Sequence, residues 1–124
     1  MAKELRDMKS IFIIRPVRGI SEEYELSIQG YIYELHVQGH QVYDPNRHTN
    51  QNDATGLRIC EQNRFAIEVA DEVHVVWDGK SQGCLFDLGM AFALRKTVVP
   101  VVGLFPRMSK GKSFQNMVYA WQEA

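Results

Sequence analysis

The sequence predicts a doubly wound α/β fold: a parallel sheet of four or five strands flanked by helices, flavodoxin- or Rossmann-like in its winding. Three observations predict it. Short apolar runs alternate with longer helix-patterned segments along the chain. The first such run, Ser10 to Ile14 (SIFII), is almost wholly apolar, as a strand buried on both faces must be. No repeat or low-complexity tract breaks the alternation, so each strand reaches the next through a right-handed crossover. At 124 residues the chain has the length of one domain, 1–124, large enough to bury a core without staples.

The elements follow in order. Residues 1 to 8 read as a frayed lead-in or a short extra turn. Pro16 ends the first strand. Ser21-Glu22-Glu23 opens a helix, with a capping hydroxyl followed by acids in the positive first turn. Tyr24, Ile28, Tyr31, Ile32 and Leu35 share one face of that helix, and Gly39 ends it. Gln41 to Tyr43 is a brief second strand stopped by Asp44-Pro45, and 46–53 (NRHTNQND) is a polar loop. Asp53 caps a second helix to about Ala70, with Cys60, Asn63, Ile67 and Ala70 facing inward. Glu72 to Trp77 is the third strand, Asp78 to Gln82 a turn, and Gly83 to Arg95 a third helix. Thr97 to Val102 is a fourth strand in which Pro100 requires an edge position or a bulge. Phe105 to Lys112 is a loop, and Ser113 to Glu123 a closing helix.

Composition narrows the function. The hydrophobic fraction of 45% and charged fraction of 23% are those of an ordinary globular protein. A net charge of -1 gives no electrostatic case for a nucleic acid polymer or an anionic membrane as partner. No apolar run approaches the ~18 residues of a membrane span, and Met1 to Lys9 has no apolar signal core, so the expected location is cytoplasmic. Cys60 and Cys84 stand in no metal spacing and are expected as reduced thiols in the core. The four histidines, His36, His40, His48 and His74, share no ligand spacing either, so neither a metal nor a cofactor is expected.

In a doubly wound sheet, ligands bind beyond the carboxyl ends of the strands, near the point where the strand order reverses. That directs attention to 15–20, 44–53, 78–83 and the segment after 102. The sharpest residue is Asp87. It is the only charge in the helix GCLFDLGMAFAL (83–94), which is apolar on every side and therefore predicted to be buried. A buried carboxylate is costly unless it is paired or used. Arg15, Arg18 and Gly19 after the first strand form a candidate anion site; two solvated arginines are the plain alternative. Ser81 and Gly83 open the third helix, where a hydroxyl and free amides suit a phosphate; simple capping is the plain alternative. Asn63 is the one polar member of its inward stripe, either a buried hydrogen-bonder or a ligand contact. Asp44, Asp71 and Asp78 are reserve acids.

The run Ala70-Asp71 to Asp78-Gly79, then Ser81-Gln-Gly83-Cys-Leu-Phe-Asp87-Leu-Gly89-Met-Ala91 to Lys96-Thr-Val-Val-Pro100, resembles the nucleoside 2-deoxyribosyltransferase-like superfamily. Arg18-Gly19 after the first strand is nearest to its 2'-deoxynucleoside 5'-phosphate N-hydrolase branch, and Glu61-Gln62-Asn63 matches a second family segment. The resemblance spans roughly residues 10 to 120. It implies N-glycosidic chemistry in which the carboxylate at position 87 attacks the anomeric carbon and a covalent glycosyl-enzyme forms. The substrate implied is a small-molecule nucleoside or nucleotide. Ser81, Arg18 and Gly19 imply a 5'-monophosphate. Asn116-Met117 resembles the segment through which a neighbouring subunit completes the site, which implies a homodimer or larger homo-oligomer. The chain departs from the family in three places: Asp87 where Glu is usual, Asn63 where Asp is usual, and Leu85 where a small residue is usual. The alternative implied is a nucleotide-binding sensor that no longer performs the chemistry.

Overall fold

The apolar run Ser10–Ile14 forms strand β1 at the centre of the sheet in the computed structural model, which describes residues 7–124. The lead-in expected over 1–8 lies mostly outside the described residues. Helix α1 (Glu22–Val37) follows, then β2 (Gln41–Tyr43), a single helical turn α2 (Pro45–His48) and α3 (Leu57–Val69). β3 (Glu72–Val75), α4 (Gln82–Ala93), β4 (Thr97–Pro100) and α5 (Phe114–Glu123) complete the chain. The four strands are all parallel and lie in the order β2-β1-β3-β4. The doubly wound α/β class read from the alternation is the observed one, with four strands.

Pleating sends alternate β1 side chains to opposite faces. Phe12 and Ile14 join Val73 and Val75 of β3 in a core shared with Ile67 of α3, Leu88 of α4 and Val118 of α5. Ile11 and Ile13 face the other way, onto Ile28, Ile32 and Leu35 of α1. One face is therefore covered by α1 and the other by α3, α4 and α5. Full burial of each such aliphatic side chain contributes about 1.5–3 kcal/mol. α1 starts as its sequence predicts: the Ser21 hydroxyl accepts from the Tyr24 amide at 3.1 Å, and Glu22, Glu23 and Glu25 occupy the first turn. β4 is an edge strand, which accommodates Pro100 as its last residue.

Four expectations need correction. The 46–53 segment is not all loop. Asp44 caps the α2 turn by accepting from the Asn46 amide at 3.0 Å, and Pro45 fits the first helical position. α3 begins at Leu57 rather than directly after Asp53, because Gly56 takes the cap position with φ 87°, a left-handed conformation natural to glycine. Asp53 still serves that helix end, accepting from the Ile59 amide at 3.1 Å. β3 and β4 are shorter than expected, since the Trp77 amide turns to the Leu104 carbonyl (2.9 Å) and leaves the ladder. Finally, α4 is not buried all round. Cys84, Asp87, Leu88 and Ala91 point inward, while Phe86 and Phe92 are 56% and 59% exposed.

Candidate functional site

The chain passes from β1 outward to β2, then returns to place β3 on the other side of β1. The loops leaving β1 and β3 therefore diverge and open a crevice at the carboxyl edge of the sheet. A cleft of about 610 Å³ lies there. Its walls come from the loop after β1, the segment between β2 and α3, the turn after β3, the first turns of α4 and the inner face of α3. Three of the four loops flagged by the sequence meet here; the segment after 102 does not contribute.

Asp87 lies in this cleft, 8% exposed. It belongs to none of the ion pairs among the described residues. Burial pushes its carboxyl up to about 7, and a side-chain hydrogen bond from Asn63 works against that rise. Asn63 itself is 5% exposed, and its Oδ1 accepts from the Thr49 hydroxyl at 2.7 Å. The polar member of the α3 stripe is thus there to meet the lone acid of α4, across the contact between the two helices. A carboxylic acid held close to neutrality, beside an amide and open to a cleft, can act as a nucleophile when ionised or as a proton donor when not.

Arg18 is exposed on the rim, beside Gly19, whose φ of 65° is left-handed. Lys80 adds a second exposed cation from the turn after β3. Ser81 caps α4, its Oγ accepting from the Cys84 amide at 3.4 Å, and Gly83 in the first turn also lines the cleft. Arg18, Gly19, Ser81 and Gly83 therefore share one cavity, with the positive end of α4 turned toward it.

Arg15 is placed differently from its expected role. It forms part of the wall, but its guanidinium is buried at 3% exposure and engaged by Glu25 through both nitrogens, at 2.9 and 2.5 Å. Asp44 lies 3.6 Å away, and Nε donates to the Pro16 carbonyl. The Arg15 bond is the main reason the Glu25 carboxyl sits below its ordinary range. Arg15 is thus a strut that ties β1 to α1, its buried guanidinium committed to Glu25, Asp44 and the Pro16 carbonyl. Asn116 lies outside the cleft of its own chain. Its amide clamps the 109–111 turn, accepting from the Ser109 amide at 2.8 Å and donating to the Ser109 and Gly111 carbonyls at 2.8 and 2.7 Å.

Of the reserve acids, Asp71 is at the wrong edge. It accepts from the Ser10 amide (2.7 Å), at the amino ends of β1 and β3. Asp44 is spent on the α2 cap and on Gln29 (3.2 Å). Asp78 alone lines the cleft, its Oδ1 accepting from the Lys80 and Ser81 amides. The two cysteines also part company. Cys84 is in the core, pushed up to about 12 mainly by burial, with its Sγ on the Val76 carbonyl. Cys60 is only half-buried and lines the cleft, contrary to the expectation that both pack in the core.

Sequence reasoning missed Thr49, Gln51, Ile59 and Phe86 as parts of the site. Phe86 had a signal, an aromatic directly before the lone acid. Thr49 lay in the flagged 44–53 segment, but nothing marked it individually, because its inward placement depends on the unforeseen α2 turn. No protein-family model matches this chain, and no curated protein matches it.

Proposed function

We propose that this chain breaks the N-glycosidic bond of a nucleoside or nucleoside 5'-monophosphate, by hydrolysis or by transfer to a second base, with Asp87 as the attacking carboxylate. The observation that carries the reading is the setting of Asp87: a buried acid without an ion-pair partner among the described residues, in a cleft at the switch point of the sheet. Such an acid is costly to keep without use. The motif resemblance around 70–100 supplies the reaction class. In that reaction an Asp87 oxygen bonds to the anomeric carbon as the carbon–nitrogen bond breaks. The base leaves with the electron pair and takes up a proton, and water or an acceptor base then releases the sugar. Arg18, Lys80 and the α4 amides favour a 5'-phosphate at the rim.

A homo-oligomer belongs to the same reading. It is supported by the exposed Phe86 and Phe92 of α4 and by the position of Asn116 away from its own cleft. The test of the reaction is chromatographic detection of free base from ribo- and deoxynucleosides and their 5'-monophosphates, with and without an acceptor base. Asp87→Ala is run in parallel. Base released by the wild type and not by the variant is the expected result; no release across the panel removes the enzymatic reading.

One observation favours a second reading, a nucleotide-binding protein without turnover. The partner of Asp87 is an amide, so the two-carboxylate arrangement of retaining glycosidases is absent at this pair. Saturable binding of a 5'-monophosphate, seen as a rise in melting temperature with no base released, would identify it.

A further inference from the structure

Asn63 presents two different atoms, a carbonyl oxygen and an amide nitrogen, and which of them faces Asp87 decides whether the contact attracts or repels a carboxylate. Two hydrogen bonds behind Asn63 bear on the choice. The Thr49 hydroxyl donates to Asn63 Oδ1 at 2.7 Å. That spends the single Thr49 proton, so the contact between Thr49 Oγ1 and the Tyr43 hydroxyl, also 2.7 Å, has Tyr43 as its donor. With Oδ1 occupied, the Nδ2 donor of Asn63 is what remains for Asp87.

We propose that Tyr43 and Thr49 are positioning residues, a relay that locks the Asn63 amide so that it donates to Asp87. This rests on the reading of Asp87 as the reacting carboxylate, but the relay is measurable without turnover.

The supports of the relay are all structural. The Tyr43 ring stacks on Phe12 with centroids 5.3 Å apart and planes 14° apart, which holds the hydroxyl from the core side. Thr49 is 4% exposed and closes the α2 turn, its amide donating to the Pro45 carbonyl at 3.1 Å. The one-turn helix thus has a purpose: it delivers a hydroxyl behind α3. A chain of donors running one way polarises each member in the same sense, and breaking it upstream weakens the last bond. The other titratable groups facing Asp87 are Cys60 on α3, Cys84 on its own helix, and Arg15, Arg18, Asp78 and Lys80 around the cleft. None of them belongs to the relay, so substitutions at Tyr43 and Thr49 leave that background in place.

The experiment is a carboxyl-carbon NMR titration of the full chain with labelled aspartate, the Asp87 signal being assigned by its loss in Asp87→Asn. Thr49→Val keeps the side-chain shape and removes the hydroxyl. The Asp87 midpoint is expected to move up by about half a pH unit or more, the scale of one weakened hydrogen bond. Thr49→Ser is expected to restore it, and Tyr43→Phe to give a smaller upward shift. Wild-type midpoints in both Thr49→Val and Tyr43→Phe would overturn the relay. Should Thr49→Val fail to fold, Tyr43→Phe decides alone, since it keeps the ring stacked on Phe12. Absence of base release from the wild type would overturn the glycosidic reading while leaving the midpoints to decide the relay.

Discussion

Asn63 of α3 and Asp87 of α4 are both nearly buried and line one cleft, where the Asn63 amide, rather than a cation, counters the effect of burial on the Asp87 carboxyl. A neutral partner stabilises an ionised carboxylate less than an arginine does, so burial dominates and the acid is held up at about 7. Holding Asp87 near neutrality costs stability and, on the proposed reading, sets the pH at which the acid can react; both are measurable.

The stability side is read with Asp87→Asn. Below an ordinary aspartate pKa of about 4 the group is protonated in both folded and unfolded chains. As pH rises toward 7 the unfolded chain gives up the proton while the fold retains it, so wild-type stability falls across that window and then levels. The isosteric amide carries no such penalty. Denaturant unfolding is expected to show Asp87→Asn gaining on the wild type between pH 4 and 7, by on the order of a few kcal/mol at the plateau. A pH-independent difference would mean the carboxyl is not held protonated by the fold.

The activity side has the opposite slope. A nucleophile must be ionised, so kcat/KM for base release is expected to climb with pH, roughly tenfold per unit on the acid limb. It should bend to a plateau near 7, where the free carboxyl titrates. A rate that instead falls through that pH would assign Asp87 the role of proton donor.

The sequence made the fold legible because each apolar run and each turn agreed with one topology. Ser21 and Gly39 marked helix ends that the structure uses, and Pro100 marked a strand that lies at the sheet edge. Asp87 and Asn63 were legible for a related reason: each is a polar residue on an otherwise apolar, inward-facing stripe. Their pairing was not, since α3 and α4 meet only in three dimensions. Arg15 was misread because position in a loop after a strand does not reveal that Glu25, on the following helix, captures the guanidinium. The exposure of Phe86 was hidden because an apolar helix reads as buried whether one face or all of it is covered.

The two arginines of the first loop should therefore separate cleanly. Arg15→Ala leaves Glu25 and the buried Asp44 without their cation and is expected to cost roughly 2–4 kcal/mol of stability. Arg18→Ala is exposed and is expected to stay within about 0.5 kcal/mol of the wild type. Its effect should instead fall on ligands, weakening 5'-monophosphates while sparing free nucleosides. Calorimetric titration of both ligand types against both variants tests the assignment; equal losses for nucleoside and nucleotide in Arg18→Ala would remove the phosphate from the rim.

A second buried titratable group tilts stability the other way. His74 in β3 bonds the Tyr31 hydroxyl at 2.5 Å and Glu72 at 2.7 Å, on the face covered by α1. Burial, the largest influence, pulls its pKa below the ordinary 6.5 despite the opposing effect of Glu72. The folded chain therefore resists a proton that the unfolded chain accepts, and stability drops as pH falls through about 6.5. In His74→Gln that acid-side loss should disappear just below pH 6.5, whereas Asp87→Asn removes the loss on the side of rising pH. Unfolding free energies at pH 5.5, 6.5 and 7.5 for wild type and both variants would resolve the two slopes. An unchanged acid-side slope in His74→Gln would show that the imidazole titrates alike in both states.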